Sequence, residues 1–304
     1  MSGSTVPVLI VGALPSASWV NLLGSSRSVL ITGCSSGIGY CAAHGLQKRG
    51  YQVFASARKT ADVARLKSEG LNCLQLDVRD SESIFNAVGE LFEATGGTLY
   101  GLFNNAGYGQ PGAVEDLSRE VLRDQLETNV LGLHELTCKV LPAMRARGEG
   151  RIIQNSSILG FTTMRFRGAY QISKYALEGL TDTLRLELAD TEIYASLIEP
   201  GPIESNFRKN ARAAFAAHID IEASPFKDVY ATVQRRLNSE TENSRFTLPA
   251  TAVLDKVIHA LESSKPKPRY YVTVPTHAFG FLKRFLSTRM MDRILLAASK
   301  SESR

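Results

Sequence analysis

Residues 28–39 read SVLITGCSSGIG: a β-branched run, Ser28 to Thr32, and then Gly33-Cys34-Ser35-Ser36-Gly37-Ile38-Gly39. A short apolar stretch bounded by glycine is a strand signal, and residues 37–49 carry a helical pattern that stops at Gly50. A strand that turns into a helix through glycines brings backbone N–H groups and the positive end of the helix dipole to one point. That arrangement suits a pyrophosphate. Glycine turns also serve purely structural ends, so the elements downstream have to decide.

The alternation continues along the chain. Strand-like runs at 52–57 (QVFASA), 72–77 (NCLQLD), 100–104, 151–156 and 194–199 are separated by helical patterns at 61–69, 82–94, 118–147 and 169–189. Such alternation predicts an α/β fold of Rossmann type: one doubly wound parallel sheet, right-handed crossovers and helices on both faces. Ligands of these sheets bind beyond the carboxyl ends of the strands. Residues 202–248, rich in Ala, Arg and Asn, carry no strand pattern, and 206–248 are expected to form a helical substrate lid. The domain is expected to cover 28–275, with a leader at 1–27 and a basic amphipathic segment at 276–304.

The chain has 304 residues, 44% apolar and 21% charged, which suits one large domain with extensions. A net charge of +5 fits an anionic cofactor or a lipid surface as well as nucleic acid. No helix-turn-helix, zinc or RNP motif is present, and basic residues are dispersed except near the C-terminus, which argues against nucleic acid. Cys34, Cys41, Cys73 and Cys138 have no CxxC spacing and read as reduced thiols of a cytoplasmic protein, with no metal site expected. Cys34 sits inside the glycine loop, but no histidine stands near it in sequence to activate a thiolate. Residues 1–26 contain no Lys, Arg, Asp or Glu, so the short apolar run at 6–14 lacks the basic flank of a secretory signal. It is also too short to span a bilayer, and a disordered leader or an over-long start is the reading.

Three more groups lie on this framework: Asn104-Asn105-Ala106-Gly107, Tyr170-Gln171-Ile172-Ser173-Lys174 and Glu199-Pro200-Gly201-Pro202-Ile203-Glu204-Ser205. Together with the glycine spacing of residues 33–39, their order resembles the short-chain dehydrogenase/reductase family over residues 28–206. With Ala176-Leu177-Glu178-Gly179-Leu180 and Arg245-Phe246-Thr247-Leu248, the pattern looks most like its bacterial NADP-dependent aldehyde reductases. Hydroxysteroid and retinol dehydrogenases share much of it.

The resemblance implies a catalytic set of Asn129, Ser157, Tyr170 and Lys174. Tyr170 and Lys174, four apart, share one face of a helix. A free phenol titrates near 10; a neighbouring ammonium and an oxidised nicotinamide both favour its phenolate. Ser157 stands at the family's place for the residue orienting the substrate oxygen, with Ser156 as the competitor. Asn129 matches the asparagine that holds a water relaying protons to the lysine, though a buried asparagine also satisfies backbone groups. For the dinucleotide, the resemblance implies Gly33, Ser35, Ser36, Gly37, Ile38 and Gly39 at the pyrophosphate and Asp77 and Val78 at the adenine. Asn105, Ala106 and Gly107 fall beside the adenosine ribose, and Lys174 on the nicotinamide ribose. Pro200 and Gly201 match the family's PG segment, in which the backbone of Ile203 and the hydroxyl of Ser205 would face the carboxamide; the family often has threonine in place of Ser205.

The second strand ends in Ala55-Ser56-Ala57-Arg58-Lys59, without the carboxylate that NAD-preferring folds place there for the ribose 2′-hydroxyl. Arg58 can grip a 2′-phosphate in a planar fork, so NADP(H) is the expected cofactor. Tyr108, Leu159, Phe161, Met164, Phe166, Phe207 and Phe215 fall in the segments that would wall a substrate pocket. Each serves equally well as packing inside the lid. An apolar wall suits a lipophilic aldehyde, ketone or alcohol, with steroid or retinoid oxidoreduction as the alternative. A catalytically silent dinucleotide sensor would require damage at the tyrosine, lysine or serine, and all three positions match. The stretch 277–300 interleaves Phe279, Leu282, Phe285, Leu286, Met290, Ile294 and Leu295 with Lys283, Arg284, Arg289 and Arg293, a pattern open to peripheral membrane contact or to packing on the domain. By family analogy the chain pairs into a homodimer or homotetramer through 118–147 and 169–189.

Overall fold

A computed structural model describes residues 27–238 and 246–301. The leader expected at 1–27 thus lies outside the described residues apart from Arg27. Among the described residues the strands are β1 (Ser28–Ile31), β2 (Gln52–Ala57), β3 (Asn72–Gln75), β4 (Gly101–Asn104), β5 (Gly150–Asn155), β6 (Ile193–Glu199) and β7 (Arg269–Tyr271). All pair in parallel, in the order β3-β2-β1-β4-β5-β6-β7. The order reverses between β1 and β4, so the loops after these two strands open a crevice at the carboxyl edge.

Helices α1 (Gly37–Lys48), α2 (Thr60–Ser68), α3 (Ser81–Thr95), α5 (Gly132–Arg147), α6 (Gly168–Glu187) and α9 (Thr251–Glu262) flank the sheet, and α4 (Arg119–Leu126) packs against α6. β1 is buried on both faces, as a central parallel strand must be. Val29 and Ile31 face Ala42, Ala43 and Leu46 of α1 and Val253 and Val257 of α9. Leu30 faces the other way, onto Ile84 and Leu91 of α3 and Leu136 and Val140 of α5. The expected helix over 118–147 is interrupted by a π-helical turn, Glu127–Leu131, with Asn129 at its centre.

Between β6 and α9 the chain forms α7 (Phe207–His218) and α8 (Lys227–Asn238). They have their own apolar nucleus, with Phe215 and Tyr230 buried against Ala113, Val121 and Ala169. The base of this insert is tied by a parallel bridge between Ile203 and Leu248. Leu248 N–H donates to the Pro202 carbonyl at 3.2 Å, and Glu204 N–H to the Leu248 carbonyl at 3.0 Å. Two helices, α10 (Val274–Phe285) and α11 (Thr288–Ser301), complete the described chain.

Candidate active site

The loops after β1, β4, β5 and β6 surround one large cleft of about 1630 Å³. Its floor is the glycine turn. Gly33 has φ +70°, and a Cβ there would come within 2.8 Å of the Ala106 backbone. Thr32 Oγ1 accepts from the N–H groups of Asn105 and Ala106 at 2.9 and 2.8 Å. Asn105 Nδ2 donates to the Thr32 and Gly33 carbonyls at 3.0 and 3.1 Å, and its Oδ1 accepts from Asn155 Nδ2 at 2.9 Å. The glycine turn is therefore clamped against the β4 loop from the side. Ser36 precedes α1 without a side-chain capping bond. The first N–H groups of α1 thus remain for a ligand beside backbone that lacks side chains, a cradle that fits a pyrophosphate.

Within the glycine turn Gly39 is the tightest point. A Cβ would lie 2.5 Å from Asn105 Nδ2 and closer still to the Gly33 carbonyl oxygen. Gly39→Ala is therefore expected to weaken dinucleotide affinity about tenfold or more, because the floor of the cradle must shift. Titration of the intrinsic NADPH fluorescence checks this, and unchanged affinity would contradict the packing argument. Cys34 is not a reactive thiol: it is fully buried, its Sγ donates to the Ile31 carbonyl at 3.2 Å, and burial pushes its pKa up to about 12.

The far end of the cleft carries Arg58 and Lys59, both exposed, beside Asp77 and Val78. Arg79, which the sequence reading passed over, belongs to this wall. Its Nη2 donates to Asp77 Oδ2 at 3.1 Å, and its Nε and backbone N–H to Oδ1 at 3.3 and 3.1 Å. Burial works against ionisation of Asp77, but these bonds outweigh it and hold the carboxyl below its usual range. The signal was the Asp77-Val78-Arg79 spacing, which puts the guanidinium next to the carboxylate only once the chain turns after β3.

At the other end Tyr170, Lys174, Ser157, Pro200, Gly201 and Ile203 meet on the cleft wall. Ser157, whose Oγ accepts from Leu159 N–H at 3.1 Å, stands beside the Tyr170 phenol; burial pushes the phenol up to about 12, with Ser157 partly opposing. Lys174 Nζ donates to the Asn155 carbonyl at 2.6 Å and lies 5.6 Å from the centre of the Tyr170 ring. Burial pushes Lys174 down to about 8, against the pull of Glu178. Burial alone thus sets the phenol high in the chain itself, where the Lys174 ammonium is turned toward the Asn155 carbonyl. Asn129 faces Tyr108 and Ser173: its Nδ2 donates to Tyr108 O at 2.9 Å and to Ser173 Oγ at 3.0 Å, while Oδ1 accepts from Tyr108 N at 3.1 Å. Its side chain satisfies backbone and a hydroxyl rather than touching Lys174. Ser205 donates to the Ile203 carbonyl at 3.3 Å and stands opposite Gly37, whose Cβ position is 3.0 Å from Ser205 Cβ.

The competitor Ser156 is engaged elsewhere: its hydroxyl donates to Glu178 Oε1, two turns beyond Tyr170 on α6. Glu178 also accepts from Arg269, which donates to Glu199 Oε1 at 2.6 Å and to Asp182 Oδ2 at 2.5 Å. Glu199 is 0% exposed, and burial followed by the Glu178 charge pushes it up to about 8 against the opposing Arg269. This cluster lies directly behind Ser157, Lys174 and Pro200.

Of the expected apolar wall, Tyr108, Leu159, Met164 and Phe207 line the cleft. Phe207 meets the Tyr170 ring edge-on, with centroids 5.2 Å apart. The other three pack elsewhere. Phe161 lies against Tyr271, and Phe166 and Phe215 against Tyr230 in the nucleus of the insert. Their place on the wall is taken by Phe246 and, from α10 and α11, by Val274, Phe279 and Leu295.

Residues 27–215 match the short chain dehydrogenase family. The oxidoreductase YbbO of Escherichia coli (strain K12), described as uncharacterized, is 44% identical over 273 residues, 88% of this chain and 94% of its own. Retinol dehydrogenase 16 of Mus musculus is 33% identical over 281 residues, 88% of this chain and 87% of its own. The NADPH-dependent 3-dehydrocapnine reductase of Ornithobacterium rhinotracheale is 32% identical over 278 residues, 88% and 95% respectively. A solved short-chain dehydrogenase from Streptomyces avermitilis superposes with a TM-score of 0.71 at 28% identity, covering 86% of this chain and 94% of that one.

Proposed function

The chain belongs to the short-chain dehydrogenase/reductase family, and from that premise we propose that it is an NADP(H)-dependent oxidoreductase reducing lipophilic aldehydes or ketones to alcohols. The observation that carries this reading is the meeting of Tyr170, Ser157 and Lys174 at one end of a cleft whose floor is a glycine cradle. When bound there, the dinucleotide supplies the hydride. Tyr170 holds its proton through neutral pH and donates it from the phenol to the carbonyl oxygen, so that hydride and proton together complete the alcohol. Ser157 orients that oxygen, and Lys174 holds a positive charge behind the phenol below a pH of about 8. The helix turn at Asn129 holds Tyr108 and Ser173 in place around the pair and is a candidate for the proton relay.

The preference for NADP(H) rests on Arg58 and Lys59 at the end of β2, on Arg79 across from them, and on the lack of an acidic residue at 55–59. A relative that is by name NADPH-dependent supports it. Arg58→Ala is expected to lower kcat/KM for NADPH about 10- to 100-fold, the loss of a charge-assisted hydrogen bond, and to leave NADH nearly unchanged. Equal effects on the two cofactors would reject the 2′-phosphate role.

The reading as a whole is tested by the loss of reduced-nicotinamide absorbance with aldehydes and ketones of graded length. Turnover rising with chain length supports it, whereas tight NADPH binding with no turnover on any carbonyl moves the silent-sensor reading first. The named retinol dehydrogenase relative supports a second reading, oxidation of a retinoid or steroid alcohol, which faster turnover of such alcohols with NADP⁺ would favour. A second copy would pair through the segment of α4 and α5 and through α6, the latter leaving Ile172, Leu180 and Leu186 exposed.

A further inference from the structure

The outward face of α10 is apolar and uncovered among the described residues. Val274, Ala278, Phe281 and Phe285 follow one another at intervals of four, three and four, which places them on a single stripe. Val274, Phe281 and Phe285 are 65%, 63% and 71% exposed, and the two phenylalanine rings touch with centroids 4.8 Å apart. Single exposed apolar residues are ordinary on a protein surface; a continuous stripe ending in two touching aromatic rings is not.

The opposite side of α10 is anchored to the domain. Thr276 and Gly280 are buried, and Lys283 Nζ donates to the Phe161 carbonyl at 2.6 Å and lies over the Tyr175 ring. On α11, Met291 is buried, while Met290 and Leu296, 50% and 48% exposed, stand among Arg289 and Arg293. The helix pair 274–301 carries Lys283, Arg284, Arg289, Arg293 and Lys300 against one acid, Asp292. Position adds the second constraint. Val274 and Ala278 belong both to the stripe and to the wall of the cleft, with Phe279 and Leu295 further in. The stripe therefore starts at the mouth of the site and runs outward.

We propose that α10 and α11 form a docking surface for an anionic phospholipid bilayer, which seats the mouth of the cleft against the membrane. Phe281 and Phe285 enter the boundary between headgroups and acyl chains, and Arg284, Arg289 and Arg293 meet lipid phosphates. Charge selects this occupant over a second copy of the chain. A two-fold contact through the same face would bring the cations of one helix pair against those of the other. Among the described residues no helix is long and apolar enough to cross a membrane, and the proposed contact is one in which α10 and α11 lie on its surface.

The test is co-sedimentation of the full chain with vesicles of phosphatidylcholine alone or mixed with phosphatidylglycerol. Binding is expected to the mixed vesicles, to weaken with salt, and to be about tenfold weaker or more without the anionic lipid. Phe281→Ser with Phe285→Ser should lose about tenfold or more of the binding. Arg284→Glu with Arg289→Glu and Arg293→Glu should lose about a hundredfold. Both variants are to retain the circular dichroism and melting temperature of the wild type, which shows that they fold. Failure of the wild type to bind mixed vesicles, or binding untouched by both variants, overturns the proposal. So does self-association of the wild type that the Phe281/Phe285 variant abolishes, which would hand the face to a second copy. Vesicle binding is read without turnover, so its failure is distinct from failure of the carbonyl reading.

Discussion

Tyr170→Phe is expected to lower kcat for carbonyl reduction about 10²- to 10⁴-fold while leaving NADPH affinity within a few-fold. The substitution removes only the phenol oxygen. The ring keeps its edge contact with Phe207 and its place in the buried cleft wall. Lys174 keeps its bond to the Asn155 carbonyl, and the glycine cradle is untouched. What disappears is the phenol beside Ser157 that burial pushes up to about 12 and so keeps protonated at neutral pH. NADPH binding by fluorescence, measured beside steady-state reduction, separates the two effects. A variant that retains most of its kcat would remove Tyr170 from the chemistry.

Arg269→Met is expected to destabilise the fold by about 3–5 kcal/mol, with the loss growing as pH rises. The guanidinium is shared by Glu178, Glu199 and Asp182, which come from α6 and β6 and otherwise repel one another. Methionine fills part of the volume but leaves buried carboxylates without a counter-charge. For a chain of this size the melting temperature should fall by roughly 5–15 °C. Glu199 sets the pH dependence. Its folded pKa of about 8 stands above the ordinary 4.5 because burial and Glu178 favour the neutral form. Between these values the folded state holds a proton that the unfolded chain has released. The stabilisation is complete below about 4.5 and is lost as pH climbs toward 8. Glu199→Gln carries no such proton and should flatten the fall in stability over that window. Added to Arg269→Met, it should restore part of the lost melting temperature. Denaturant melts at several pH values check both, and a Glu199→Gln slope equal to that of the wild type would defeat the argument.

Ser156 and Ser157 show why adjacent residues of one type cannot be told apart by composition. Successive side chains of an extended segment point in different directions, so Ser156 turns to Glu178 and Ser157 stands beside Tyr170, two turns earlier on the same helix. Arg269 was invisible for another reason. Its partners lie 70 to 91 residues away, and β7, three residues long, has no periodicity to read. Phe161, Phe166 and Phe215 carry the right chemistry for a pocket wall, yet the nucleus around Tyr230 and the ring of Tyr271 claim them.

The sequence by itself determined the alternating parallel fold, the glycine turn, the register of Tyr170 with Lys174 and the basic end of the second strand. Each of these is written in a run of a few neighbouring residues, where strand and helix periods and the conformational freedom of glycine act directly. Only the tertiary structure decided the pairing of Arg79 with Asp77, the acid cluster on Arg269, and the use of α10 and α11 as the mouth of the cleft. Those depend on which distant segments the packed sheet brings within a few ångströms, and local periodicity carries no record of that.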